Sequence, residues 1–313
     1  MAITIQKAPG KIILFGEHAV VYGKPAIAVP LVQRFTTVTI QPLIKQENAI
    51  QIEAPDIHLN CKFSELSNDH PLALIIREVK TYGRIQSLPS MKIRIHSTLP
   101  VASGLGSGAS VSVALAKALC EFLGLPSTPQ DISQMAFEAE KTHHGTPSGI
   151  DNTVIAFGRG LFYQRDQPIE WLSLGKSPIN LLIVNSGEEK STKDMVSLVR
   201  EELSQMPEVI QPILDQIGEL TLQARCALEA GESKLLGTLM CQNHTLLQKL
   251  GVSTPILDNL VNLAMSTGAL GAKLSGAGGG GNIIILLESK VPQSMFDAFA
   301  QAGYMNLIET SIQ

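Results

Sequence analysis

A glycine-rich segment at residues 100–109, PVASGLGSGA, has the composition of a phosphate-binding loop and leads directly into an amphipathic helical pattern. Glycines let backbone amides approach an anion, and the helix N-terminus adds unpaired N–H donors and roughly half a positive charge. The segment fails the Walker A pattern, because Ala109-Ser110 stands where Lys-Ser or Lys-Thr is required. It fits the dinucleotide pattern only loosely, because no acidic residue ends a following strand. A phosphate-binding loop is therefore predicted, with a flexible connector as the alternative.

Two carboxylates flank a Pro/Gly turn in the segment 138–152, which reads EAEKTHHGTPSGIDN. Glu140 lies near the end of a predicted helix, and Asp151 follows the turn. Carboxylate oxygens suit Mg²⁺ and can also accept a proton, so the pair could supply a metal ligand and a base. The adjacent His143 and His144 lack the HExxH or HxxxH spacing of a zinc site. A solvated helix face and an ordinary turn aspartate are the alternative.

Charged residues also bracket a short apolar run near the N-terminus. Lys11 precedes Ile12–Phe15, and Glu17 and His18 follow it. Each of these residues alone is typical of a solvated surface or a turn, but together they favour a cleft. A further glycine cluster at residues 273–281, KLSGAGGGG, precedes an apolar strand pattern and not a helix, so it is not a dinucleotide site. Close approach to a ligand and a tight turn between strands both remain open for it.

The elements that would position these residues mix strands and helices in both halves of the chain. Alternation predicts strands at 37–40 and 91–96, and a 3.6-residue period predicts helices at 111–122 and 130–143. The second half is predicted to hold a strand at 180–184, mostly helix over 192–266, strands near 272 and at 282–287, a helix at 291–301 and a last short strand. This pattern predicts a two-domain α+β protein with domains at 1–176 and 177–313.

Composition excludes several classes of protein. The 313 residues are 44% hydrophobic and 17% charged with a net charge of −4, which argues against a disordered chain and against a nucleic-acid partner. The longest aliphatic run, Ile283–Leu287, is far shorter than the roughly 20 residues that span a bilayer, so no membrane partner is expected. The start lacks the pattern of a secretory signal. The four cysteines lack CxxC spacing and are predicted to be buried reduced thiols in a cytoplasmic protein.

Four motifs follow one another along nearly the whole chain: PGKIILFGEHAVVYG at 9–23, PVASGLGSGA at 100–109, HGTPSGIDN at 144–152 and KLSGAGGGG at 273–281. Their order resembles the GHMP small-molecule kinases. Within that superfamily, the first and third motifs in chain order are similar to those of the mevalonate kinase family. A galactokinase would be expected to read GEHTD where this chain reads Gly16-Glu17-His18-Ala19-Val20.

The resemblance implies a two-lobed GHMP kinase fold, with an N-terminal mixed α/β lobe and a C-terminal helix-rich, ferredoxin-like lobe. It also implies phosphorylation of the 5-hydroxyl of (R)-mevalonate in isoprenoid precursor synthesis, with ATP and Mg²⁺ as cofactors. The expected partner is this small-molecule substrate, and the sequence leaves a homodimer open.

Site residues carry over position by position. Asp151 is implied to be the catalytic base, and Lys11 is implied to lie beside the reacting hydroxyl. Glu140 and Ser107 are the implied Mg²⁺ ligands. The implied nucleotide contacts are Ser97, Ala102, Ser103, Gly104, Leu105, Gly106, Ser107 and Gly108. The implied substrate contacts are Lys11, Glu17, His18, Asp151, Lys190 and Thr192.

One position departs from the family pattern. The superfamily usually reads GLGSSA, in which the second serine also ligates Mg²⁺, and Gly108 stands in its place here. Water, Ser107, or Glu140 with the phosphates alone would have to replace that oxygen. Two other functions stay open: a kinase of a mevalonate-like acid acting at another hydroxyl, and a nucleotide sensor without catalysis, which Gly108 keeps open. The presence of Lys11, Glu140 and Asp151 argues against the sensor.

Overall fold

The computed structural model describes residues 2–43, 49–100, 103–144, 148–175, 178–188 and 190–312, without the side chains of residues 143 and 144. The chain divides into two compact units. The first consists of Met1–Lys11 and Pro30–Gly158, and the second of Ile12–Val29 and Arg159–Gln313. The domain boundary expected near residue 176 stays a prediction.

Both units contain strands and helices, and most strand pairs are antiparallel, which agrees with the α+β prediction. The strands are β1 (Thr4–Phe15), β2 (Ala26–Pro42), β3 (Ile50–Ala54), β4 (Leu59–Lys62), β5 (Met91–Ser97), β6 (Leu161–Tyr163), β7 (Glu170–Trp171), β8 (Ile179–Asn185), β9 (Gly271–Ser275), β10 (Asn282–Leu287) and β11 (Leu307–Ile312). The helices are α1 (Pro71–Tyr82), α2 (Ser107–Leu123), α3 (Pro129–His144), α4 (Ile150–Phe157), α5 (Thr192–Gln205), α6 (Pro207–Ala230), α7 (Ser233–Lys249), α8 (Pro255–Ser266) and α9 (Gln293–Gln301).

In the first unit, β5 lies between β2 and β3 in the sheet. It pairs antiparallel with β2, with Thr36 opposite Ser97, and parallel with β3, which pairs antiparallel with β4. The alternation predicted for β5 is present, because Met91, Ile93 and Ile95 are buried while Arg94 and His96 are exposed. These buried residues join apolar side chains of α1, α2, α3 and α4 in one hydrophobic core. The core fixes the start of α2, and with it the predicted phosphate loop.

In the second unit, an antiparallel sheet has the strand order β11-β8-β10-β9. Every residue of β10 is buried, as expected for a central strand. The stretch predicted to be mostly helical forms α5, α6, α7 and α8, whose apolar faces share a core with β8, β9 and β10. The first residues of β2, Ala26–Ala28, pair with β6 in this unit.

The structure departs from the sequence expectations at one short helix and at one cysteine. The pattern did not predict α4, because its eight residues follow directly on a Pro/Gly turn and show little more than two helical periods. The four cysteines are free thiols, but only Cys120 is buried and Cys226 is exposed, so the expected burial is wrong for Cys226. Within the described ranges, no helix is both long and apolar enough to cross a membrane.

Candidate active site

Lys11 and Asp151 form an ion pair in the first unit. The Lys11 Nζ lies 3.3 Å from the Asp151 Oδ2, and 9% of the lysine side chain is exposed against 32% of the aspartate side chain. Lys11 is held by its strand β1, while Asp151 lies in the first turn of α4, where the helix N-terminus favours a negative charge. The two residues that the sequence singled out 140 positions apart are therefore in contact, with the carboxylate open on one side.

The described part of the glycine-rich loop packs directly on Lys11. The Lys11 backbone N–H donates to the Leu105 carbonyl at 2.9 Å. Gly106 caps the N-terminus of α2 with a left-handed φ of +74°, and a Cβ added there would lie only 2.8 Å from the Lys11 Cγ. Glycine is required at this position for both reasons. The loop thus brings the N-terminus of α2 next to the Lys11–Asp151 pair.

Glu140 belongs to the same group of charges. Burial on α3, reinforced by the negative charge of Asp151 and opposed by Lys11, raises the pKa of Glu140 to about 7. The carboxyl group is therefore held where a negative charge is costly unless a proton or a cation accompanies it. A buried carboxyl group with a raised pKa that interacts with other charged groups is typical of a functional site.

The residues present fit Mg²⁺ when the nucleotide supplies part of its ligands. Within the described part of the chain, no three His, Cys, Asp or Glu side chains converge on one point. Mg²⁺ commonly binds through one or two carboxylates, phosphate oxygens and water, and Glu140 offers the carboxylate. Ser107 begins α2 and is half-buried, whereas Gly108 is exposed and brings no side-chain oxygen. The assignment of Ser107 as a ligand stays a prediction.

The remaining predicted nucleotide contacts differ in how far they are engaged within the protein. Ser97 ends β5, where its N–H donates to the Asp56 Oδ2 at 2.7 Å and its hydroxyl shares a 3.1 Å hydrogen bond with Thr36. The buried Ser103 hydroxyl donates to the Pro100 carbonyl at 2.9 Å. Gly104 is exposed, and Ala102 lies outside the described residues. Their roles toward a nucleotide stay predictions.

In the second unit, His18 is held in an unusual backbone conformation. Its φ is +58°, which is rare for a residue other than glycine, and 6% of the residue is exposed. Burial lowers the pKa of His18, so the ring is neutral at pH 7. Its Nε2 lies 2.7 Å from the Ala277 carbonyl oxygen and donates to it, which leaves Nδ1 as an acceptor.

Lys273, which the sequence interpretation did not select, pairs with Glu17 in this unit. The Lys273 Nζ donates to the Glu17 carboxylate and, at 2.7 Å, to the Leu274 carbonyl, and both charged side chains are almost completely buried. Burial lowers the pKa of Lys273, while Glu17 opposes that shift. The sequence offered one signal for a role of Lys273, which is its position at the start of the glycine-rich segment 273–281.

The glycine cluster at residues 273–281 approaches the protein's own backbone. A Cβ added at Gly278 would lie 2.1 Å from the Val252 carbonyl oxygen, and one at Gly280 would lie 2.4 Å from that of Glu188. The run therefore makes a tight turn between β9 and β10. Lys190 is exposed, and its Cδ would lie 2.8 Å from a Cβ at Gly279, whereas Thr192 is exposed at the start of α5. The structure thus gathers His18 and Lys190 beside one glycine cluster.

Comparison with known proteins agrees with these motifs. The family model described as "GHMP kinases N terminal domain" matches residues 72–160, and "GHMP kinases C terminal" matches residues 224–304. The chain is 39% identical to the mevalonate kinase of Thermococcus sibiricus over 97% of this chain and 95% of the relative.

Solved structures give the same result. The Methanococcus jannaschii mevalonate kinase superposes with a TM-score of 0.87 at 28% identity, covering 98% of each chain. The L. major mevalonate kinase in complex with R-mevalonate superposes with a TM-score of 0.84 at 28% identity, covering 100% of this chain and 96% of that one. The predicted GHMP kinase fold is confirmed, and the chain belongs to the mevalonate kinase family of the GHMP kinases.

Proposed function

We propose that this protein transfers the γ-phosphoryl group of ATP to the 5-hydroxyl of (R)-mevalonate, in the cytoplasm, as a step of isoprenoid precursor synthesis. The observation that carries the proposal is the Lys11–Asp151 pair, at 3.3 Å, directly beside the glycine loop that begins α2. Phosphoryl transfer demands little covalent chemistry from a protein. It demands alignment, positive charge near the phosphates and a proton acceptor, and this group of residues offers all three.

Asp151 accepts the proton of the 5-hydroxyl as the hydroxyl oxygen bonds to the γ-phosphorus, while the bond from that phosphorus to the β,γ-bridging oxygen breaks and ADP leaves. A carboxylate is a weak base toward an alcohol, so the charge that develops on the oxygen needs a partner. The Lys11 ammonium, already 3.3 Å from the Asp151 Oδ2, supplies that partner and lowers the free energy of the ionised hydroxyl. The two side chains therefore act together on one oxygen.

The loop from Ser103 to Gly108 and the N-terminus of α2 hold the phosphates. The left-handed backbone at Gly104 and Gly106 turns the loop tightly before α2 begins at Ser107. Free N–H groups in the first turn of a helix bind anions, which is how a protein of net charge −4 attracts a nucleotide. Ser97 and Ala102 are proposed to complete the nucleotide contacts.

Glu140 is the proposed protein ligand of Mg²⁺, with Ser107 as the second. Bound Mg²⁺ would neutralise charge on the phosphates during transfer. Ionisation of Glu140 is costly in the isolated protein, as its pKa of about 7 records, so this carboxylate is suited to receive a cation.

The acid substrate is proposed to contact Glu17, His18, Lys190 and Thr192 in addition to Lys11 and Asp151. The neutral His18 ring keeps Nδ1 as a hydrogen-bond acceptor, which suits a hydroxyl of mevalonate. Lys190 is exposed and cationic, which suits the carboxylate. The relative from L. major has been solved with R-mevalonate, which supports this choice of acid.

An ADP-release assay with four acceptors tests the proposal. Mevalonate, phosphomevalonate, homoserine and galactose are each supplied with ATP and Mg²⁺. We expect kcat/KM for mevalonate to exceed that for each other acceptor by at least about 100-fold, because only its hydroxyl is aligned. Turnover only on another acceptor, or nucleotide binding without any turnover, would overturn the proposal.

A further inference from the structure

Strand β9 presents two chemically different faces. Ala272 and Leu274 belong to the hydrophobic core of the second unit, together with residues of the helices. Because side chains alternate along a strand, Lys273 and Ser275 lie on the opposite face. Both are nevertheless buried, so this second face of β9 is covered as well.

That second face binds the segment that contains the first motif. The Ser275 hydroxyl donates to the Ile13 carbonyl at 2.8 Å, and Lys273 donates to the Glu17 carboxylate. Two residues beyond the strand, the Ala277 carbonyl accepts from the His18 Nε2 at 2.7 Å. Positions 273, 275 and 277 thus hold the segment 13–18 at three points, more than 250 residues away in sequence.

The Lys273–Glu17 pair is poorly explained by stability alone. The exposed fractions of the two side chains are 0% and 1%, so both charges have left water almost completely. The desolvation of such a pair offsets much of its attraction, and a well-packed apolar pair of similar volume is often as stable or more stable. What a buried pair provides is a fixed position for each partner.

The residue next to Glu17 needs such fixing. His18 has φ +58° and ψ −48°, a strained backbone conformation that a residue other than glycine keeps only when its surroundings hold it. Two hydrogen bonds hold His18 in place. Lys273 on β9 donates to the carboxylate of Glu17, the preceding residue, and the His18 ring donates to the carbonyl in the turn that follows β9.

We propose that Lys273 is a positioning residue of the mevalonate site, which acts through Glu17 to hold the Gly16–His18 turn in the conformation that binds the acid. Ser275 assists by holding the backbone at Ile13. The inference rests on the proposed function, since it assigns the turn to the mevalonate site. It predicts that losing Lys273 weakens mevalonate binding far more than ATP binding or the chemical step.

The test compares the steady-state kinetics and Tm of Lys273→Met, Glu17→Gln, the double variant and Ser275→Ala. We expect Lys273→Met to raise KM for mevalonate by about 10-fold or more, with KM for ATP and kcat within about 3-fold of wild type. If Lys273 acts through Glu17, the double variant is no worse than the more impaired single variant. Ser275→Ala, a small neutral change, is expected to raise the same KM by about 2- to 5-fold.

Lys24→Met is the matched control, because Lys24 forms a lysine–carboxylate pair with Asp215 in the same unit but near the surface. It is expected to leave all three kinetic constants within about 2-fold. If Lys273→Met leaves an unpaired buried carboxylate and does not fold, the double variant, which carries neither charge, decides.

Three results would overturn the inference. They are an unchanged KM for mevalonate in the folded Lys273 variants, an equal loss in all three constants, and effects of the two single changes that multiply in the double variant. Wild-type turnover on mevalonate is measured first, so failure of the proposed function is recognised separately.

Discussion

Lys11, Asp151 and Glu140 place two potential negative charges and one positive charge in a small, partly buried volume. The ammonium of Lys11 pairs with Asp151 at 3.3 Å, so the charge of Glu140 is the one left over. In the isolated protein a proton can compensate it, as the raised pKa of Glu140 shows. In the working enzyme a cation with the nucleotide would replace that proton, which couples metal binding to the ionisation of this carboxyl group.

The first prediction concerns the stability of the isolated protein with Glu140→Gln. The pKa of Glu140 is raised from 4.5 in the unfolded chain to about 7, so the folded state is favoured while the group is protonated. That advantage is complete below pH 4.5 and is lost as pH rises through 7. This change in the pKa of Glu140 corresponds to at most about 3 kcal/mol in the free energy of unfolding. In the absence of nucleotide and metal, the Tm of Glu140→Gln should exceed that of wild type by more at pH 8 than at pH 5. An equal difference at both pH values would contradict the assigned environment.

The second prediction concerns Asp151→Asn. The amide keeps the size of the carboxylate and most contacts, but it cannot accept the hydroxyl proton. We expect kcat to fall by a factor on the order of 10² to 10⁴, while ATP binding measured by calorimetry stays near wild type. A variant with near-wild-type turnover would remove Asp151 from the mechanism.

The third prediction concerns Gly108→Ser, which restores the serine usual in the superfamily. A Cβ added at Gly108 meets no described atom within 4 Å, and the residue lies in the first turn of α2, so the change fits without strain. The new hydroxyl oxygen should strengthen apparent Mg²⁺ affinity by about 2- to 10-fold in a titration at fixed ATP. Gly108→Ala is the matched control for loss of glycine. If both variants titrate alike, the missing hydroxyl has no role here.

At the scale of elements, α3 and α4 carry the two carboxylates and are joined by a buried polar cluster. The Asn152 Nδ2 on α4 donates to the Ser133 carbonyl at 3.0 Å and to its hydroxyl at 2.8 Å. The Ser133 and Thr153 hydroxyls share a further hydrogen bond at 3.2 Å. Ser133 precedes Glu140 by seven residues, which is about two helical turns, so it lies on the same face of α3. This polar cluster therefore sets the relative positions of Glu140 and Asp151.

The fourth prediction follows from that polar cluster. Asn152→Leu keeps the volume but leaves the Ser133 carbonyl and hydroxyl without this donor in a buried place, at a cost of about 1–3 kcal/mol. Because Asp151 is the adjacent residue, we also expect kcat to fall by about 10-fold. Ser133→Ala is the milder companion, since it removes only one of the two acceptors. A lowered Tm with unchanged kcat in both variants would show that the polar cluster stabilises α4 without positioning Asp151.

The elements also show why part of the site was accessible from sequence and part was not. The phosphate loop and α2 were predicted because glycines followed by a 3.6-residue period are local signals. α4 was missed because it is too short to show a period. The Lys273–Glu17 pair was missed because its partners are 256 residues apart, and one sequence without relatives carries no sign of such a contact. The resemblance implied roles for residues of the motifs, and the alternation of side chains along β9 explains why Lys273 and Ser275 share one face.

At the scale of the whole molecule, the proposed roles divide between two units with separate hydrophobic cores. The first unit holds the glycine loop, Lys11, Glu140 and Asp151. The second holds Glu17, His18, Lys190 and Thr192. Strand β1 passes from the first unit to the second between Lys11 and Ile12, so a proposed catalytic residue and the Gly16–His18 turn lie on one continuous piece of chain.

The last prediction follows from this division of the proposed roles, and hydrogen exchange tests it. A non-hydrolysable ATP analogue with Mg²⁺ should slow amide exchange in the loop and first turn of α2, residues 103–110, by about 10-fold or more, because those amides bind phosphate. Mevalonate alone should slow exchange at residues 16–22 more than in the loop, because His18 and Glu17 belong to the proposed acid contacts. Helix α9, Gln293–Gln301, which none of the proposed contacts involves, serves as the internal reference. Free exchange at residues 16–22 in the presence of saturating mevalonate would refute the assignment of His18 and Glu17 together.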